Sequence, residues 1–163
     1  MVRIKYIFYL AALILICSVQ LVIVPFLSIG SVHPDILLIF VVYISLKEGQ
    51  IKGTVAGFLS GLIFDLVSGG VMGSGMFSKT LAAFIAGYFY KDSEQESHLN
   101  NITFSAIILL AGTIDSFFHT IFGVGGIKIG VFFLLFEYGF FPALFSAAIS
   151  LPLVLIKQKR DSL

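Results

Sequence analysis

Charge is scarce in this chain, tryptophan is missing and cysteine occurs once. Each shortage closes off a class of function. Only 12% of the residues are charged and 58% are hydrophobic, against roughly 25% and 45–50% in soluble domains. A soluble domain of 163 residues could not hide that much apolar surface. A net charge of +1, with no basic and aromatic-interleaved patch, gives nucleic acid no footing. Cys17, inside an apolar run, can build neither a disulfide framework nor a cysteine metal site, and reads as core packing. His33, His98 and His119 lack metal-ligand spacing, and no Ser-His or Cys-His nucleophile arrangement is present. Gly123 to Gly126 has the composition of a phosphate cradle without the Lys-Ser or Lys-Thr that should follow it. No cofactor and no metal are expected. The 18 phenylalanines read as core and lipid-facing filler.

What the chain has in quantity is long apolar runs. Arg3 and Lys5 precede the first, which is longer than the 7–15 residues of a signal-peptide core and has no small-residue cleavage site before Pro25. It reads as a retained span. The expected fold is all-α: a single polytopic membrane domain of six transmembrane helices at about 6–27, 34–47, 53–68, 74–90, 102–122 and 131–156. Five spans follow if Asp35 to Leu46 is re-entrant. Pro142 and Pro152 predict a kink in the last span, since neighbouring groups in a bundle can satisfy the freed carbonyls. Lys91 to Asn101 is the most polar stretch and reads as an aqueous loop between two halves. Short connections carry their Lys and Arg on the cytoplasmic side. With both termini in the cytoplasm, Arg3, Lys5, Lys47, Lys52, Lys91, Lys157, Lys159 and Arg160 are all inside and Lys128 is outside, which also favours an even number of spans.

Small residues fall on a four-residue ladder at Gly49, Gly53, Gly57 and Gly61, continued by Asp65 and Gly69. Residues four apart share a helical face. In water each interior Gly costs roughly 1 kcal/mol relative to Ala, but in lipid such ladders let backbones approach closely. The ladder reads as a helix-packing or partner face, with Asp65 as a polar point that needs a partner. Asp65, Lys79, Asp115, His119 and Glu137 then form a polar layer in the outer half of the spans. Charges at such depth are costly unless paired or facing a cavity, so each is a functional-site candidate. The plainer reading stands beside it: Asp65 and Lys79 neutralise each other, and Asp115 with His119 is an ordinary i, i+4 contact. Two intramembrane aspartates would also suit an aspartyl dyad. Lipoprotein signal peptidases have one in a chain of similar size, but set their aspartates in Asn-rich and Gly-Asp contexts, whereas Asp65 sits in Ile-Phe-Asp-Leu and Asp115 in Thr-Ile-Asp-Ser.

The run Gly57-Phe58-Leu59-Ser60-Gly61-Leu62-Ile63-Phe64-Asp65, then Ser68-Gly69-Gly70, Gly73 and Ala86-Gly87-Tyr88-Phe89, preceded by Pro34-Asp35-Ile36-Leu37-Leu38, resembles the rod shape-determining protein MreD family. The resemblance covers Pro34 to Tyr90, so Asp115, His119 and Glu137 inherit nothing from it. It implies a non-catalytic subunit of the bacterial cell-elongation machinery in the inner membrane. The implied partners are the bitopic protein MreC and, through it or directly, actin-like MreB and peptidoglycan synthases. The layout is also similar to the small-molecule-binding, six-span subunits of energy-coupling-factor transporters. An intramembrane aspartyl peptidase is the third alternative.

Overall fold

The computed structural model describes residues 2–28, 33–91, 102–123 and 134–161. Among these the chain forms six α-helices: α1 Val2–Val22, α2 Ile36–Glu48, α3 Gln50–Ser68, α4 Ser74–Gly87, α5 Ile102–Gly123 and α6 Phe141–Asp161. A 3₁₀ turn, Val24–Leu27, follows α1, and a π-helical stretch, Leu134–Phe140, runs straight into α6. Most of the polar loop expected at Lys91–Asn101 and of the Gly-rich link at Gly123–Gly130 lies outside the described residues.

The helices are of two kinds. α1, α3 and α5 contain stretches long and apolar enough to cross a membrane, Lys5–Val22, Gln50–Ser68 and Ile102–Gly123. α2 and α4 have 13 and 14 residues, or about 20 Å of helix at 1.5 Å per residue, against roughly 30 Å of hydrocarbon. The two short helices are the buried ones. α2 is apolar on every side, and such a helix belongs inside a bundle: Leu37, Leu38, Val41, Val42 and Leu46 are all buried. Around it pack Ala82 and Ala86 of α4, Phe104, Ile107, Ile108 and Ala111 of α5, and Ala147 of α6. The chain is thus an all-α membrane protein whose centre is a short apolar helix.

The glycine ladder explains how the centre closes. α3 and α4 share the most extensive contact in the bundle and run antiparallel. A Cβ added at Gly57 would lie 2.5 Å from the Lys79 carbonyl oxygen, and one at Gly61 would lie 2.4 Å from that of Gly75. At Gly53 it would meet Ser45 of α2, 2.5 Å from its Cα. These three rungs are therefore spent on contacts within the chain and do not form an open face for another protein. The outer rungs do something else. Gly49 (φ 95°) and Gly69 (φ 69°) lie beyond the ends of α3, where a positive φ breaks the chain between α2 and α3 and closes the C-terminus of α3. Of the ladder's five glycines, three are packing rungs.

Proline has a related effect in the last helix. Pro142 has no N–H to give and its ring crowds the carbonyl of the preceding turn; the turn immediately before it is widened to π geometry. The kink expected at Pro142 falls where this π-helical stretch meets α6. Pro152 lies inside α6.

Candidate functional site

The N-termini of both short helices are held by aspartates. Asp35 is the N-cap of α2, and its Oδ1 accepts from the Leu38 N–H at 2.8 Å. α4 is capped from the neighbouring helix. Asp65, in the last turn of α3, accepts from the backbone N–H groups of Gly73, Gly75 and Met76 at 2.9, 3.0 and 3.0 Å. The first N–H groups of a helix have no partner within it and carry the positive end of its dipole, so a carboxylate fits there on both counts. Gly75 is required for this approach, because a Cβ there would lie 2.4 Å from Asp65 Oδ1.

Asp65 and Lys79 do not pair, contrary to the reading from sequence. Both carboxylate oxygens of Asp65 are already used by backbone N–H groups of α4, and Lys79 lies a further turn along that helix. The Lys79 ammonium instead donates to Asp35 Oδ2 and, at 3.0 Å, to Asp115 Oδ2. One lysine thereby ties α2, α4 and α5 together. Lys79 and Asp115 are each only 3% exposed, and Asp115 Oδ1 is buried without a hydrogen-bond partner among the described residues. The Lys79 ammonium also lies over the Phe64 ring, 5.9 Å from its centroid.

Further hydrogen bonds hold the cluster in place. The Asp35 N–H donates to Ser146 Oγ of α6 at 2.8 Å, and that hydroxyl donates to the Pro142 carbonyl at 2.9 Å. Gln20 of α1 spans the entry to α2, donating to the Pro34 carbonyl at 3.1 Å and accepting from the Ile36 N–H at 2.9 Å. Five of the six helices therefore reach one small region through hydrogen bonds or ion pairs, and the sixth, α3, reaches it through Phe64. Beside it is a cavity of about 170 Å³ lined by Asp35, Lys79, Asp115 and His119 among others. A second, of about 390 Å³, is lined by Asp65 and shares Phe64, His119, Thr120 and Tyr138 with the first. His119 thus lines the cavities next to Asp115, while the side chain of Glu137 lies outside the described residues.

The other end of α2 carries the opposite balance. Glu48, its last residue, accepts from Lys5 at 2.5 Å and from the Tyr9 hydroxyl at 2.9 Å, and forms an ion pair with Lys52 at 3.5 Å. Burial pushes the Glu48 carboxyl up, but the hydrogen bonds from Lys5 and Tyr9 and the charges of Lys5 and Lys52 outweigh it and hold the group below its ordinary value. Two acids on one base at the N-terminus of α2 and two bases on one acid at its C-terminus each oppose the helix dipole there.

Sequence reasoning brought Lys79 and Asp115 into one layer but missed their partner Asp35, which figured only within the Pro34-Asp35 motif. A usable signal was present: apart from Lys47 at the very end of the second, Lys79 is the only Lys or Arg inside the expected spans, so it is the one cation at that depth available to several carboxylates. No curated protein and no solved structure matches this chain. A family model for rod shape-determining protein MreD matches residues 1–158, well beyond the stretch that carried the resemblance. The chain belongs to the MreD family of rod shape-determining membrane proteins.

Proposed function

We propose that this protein is a non-catalytic scaffold subunit of the cell-elongation machinery in the bacterial cytoplasmic membrane, with both termini in the cytoplasm. It binds an MreC-like bitopic protein and, through it or directly, MreB and peptidoglycan synthases. The observation that supports a scaffold over an enzyme is the way the acids are used. Asp65 is committed to the N-terminus of α4, and Asp35 and Asp115 to one lysine. An aspartyl dyad needs two carboxyls sharing one reaction centre, and among the described residues no hydrogen bond joins Asp65 to Asp115. The polar groups brace helices against one another, as a rigid platform for partners requires.

The cavities beside the cluster favour one competing reading, a small-molecule-binding subunit of the energy-coupling-factor type. Affinity purification from native membranes separates the two. A bitopic protein recovered in stoichiometric amount supports the scaffold. A tightly held small molecule, with no protein partner, overturns it.

A further inference from the structure

At the Glu48 end of the bundle, α1 packs on α2 and α3 less extensively than these pack on each other. A groove of about 370 Å³ opens between α1, α2 and α3, lined by Leu10, Leu13, Phe40, Ile44, Val55 and Leu59 among others. Among the described residues its rim is charged at one end only. Lys5 and Lys52 meet there on Glu48; their side chains are 48% and 54% exposed, while that of Glu48 is 6% exposed. Two ammonium groups on one carboxylate leave a surplus positive charge, and both heads keep N–H donors free to turn outward. Tyr6 and Tyr9 stand beside them, the residue type that favours the level of lipid head groups.

We propose that this groove holds an anionic phospholipid, its phosphate taken by Lys5 and Lys52 and its acyl chains by the apolar residues of α1, α2 and α3. The charge asymmetry decides the occupant. A partner's membrane span would present apolar surface along the groove and has no need of a cationic rim, and a zwitterionic lipid would bring its own ammonium against Lys5 and Lys52. A basic pocket between helices over an apolar cleft matches an acidic head group over hydrocarbon. The seat rests on side-chain chemistry alone and is independent of the scaffold reading.

The test is native mass spectrometry of the full-length protein in non-ionic detergent, after addition of an equimolar mixture of dioleoyl phosphatidylglycerol and dioleoyl phosphatidylcholine. Phosphatidylglycerol adducts should dominate. Lys52→Gln, at an exposed position that leaves the fold intact, should lower the ratio of the two adducts about fivefold, the effect of one lysine near a membrane surface. Leu59→Trp, which fills the groove, should reduce adducts of both lipids, whereas Ile121→Trp on α5 should not. An unchanged ratio in Lys52→Gln would overturn the proposal. So would a Leu59→Trp variant that keeps its lipid but loses a co-purifying bitopic protein, which would assign the groove to a protein span.

Discussion

Replacing Gly57 by alanine pits two effects against each other and so tests the packing argument by its sign. Helix propensity alone predicts a gain, since Ala is favoured over Gly by about 1 kcal/mol in a helix interior. Packing predicts a loss. The new Cβ would stand 2.5 Å from the Lys79 carbonyl oxygen, 2.8 Å from Ala83 Cβ and 3.0 Å from the Lys79 carbonyl carbon. Two of the three neighbours are backbone atoms, so no rotamer change relieves the contact and α4 must retreat. It cannot do so freely, because Gly61 sits against Gly75 and Met76, Gly87 against Gln50, and Lys79 is held by two aspartates. Overpacking in well-filled cores costs about 1–3 kcal/mol, so Gly57→Ala should lose on the order of 1 kcal/mol net and Gly57→Leu more than 3 kcal/mol. At about 2–4 °C per kcal/mol for a chain of this size, the leucine variant should aggregate roughly 10 °C lower. Thermal aggregation in detergent, followed by size exclusion, reads both. Phe58→Leu, on the exposed face next door, should move the midpoint little. A rise in the midpoint for Gly57→Ala would refute the close approach.

Two further outcomes are expected. Glu48 is held below the ordinary carboxylate value, so its contribution to stability is present above the unfolded-state value near 4.3 and is lost as pH falls through the folded one. Melting midpoints between pH 6 and 3 should therefore decline more steeply in the parent than in Glu48→Gln. Orientation can be read by thiol labelling in a Cys17→Ser background. An impermeant maleimide added to intact cells should label Gly70→Cys and spare Lys91→Cys, and the reverse pattern would turn the proposed topology over.

How much of this was legible beforehand follows from what a one-dimensional pattern can carry. The packing rungs Gly53, Gly57 and Gly61 were legible, since in lipid a four-residue spacing of glycine means close approach whichever helix supplies the other side. The end rungs were not distinguishable from them. Gly49 and Gly69 keep the spacing but take positive φ, and spacing says nothing of where a helix stops. The pairing of Asp65 with Lys79 failed because backbone N–H groups at a helix start carry no residue signature. The lysine across the short link was visible, while the three donors that occupy Asp65 were not. Asp35 and Asp115 are 80 positions apart and share a lysine only because α4 and α5 both pack on α2, a consequence of tertiary arrangement that no local motif contains.

The central claim is that the Asp35–Lys79–Asp115 cluster braces the helices and performs no chemistry. It is tested most directly by one set of variants, scored together for protein level, recovery of the bitopic partner and rod shape. Removing one member of a buried ion pair typically costs 3–5 kcal/mol, because a charge is left stranded. Lys79→Met strands two carboxylates and should deplete the protein, its partner and rod shape alike. Asp115→Asn leaves Lys79 balanced by Asp35 and should be mild in all three, and adding it to Lys79→Met should restore part of what was lost. An Asp115→Asn protein that accumulates normally and keeps its partner, yet leaves cells unable to hold a rod, would contradict the account.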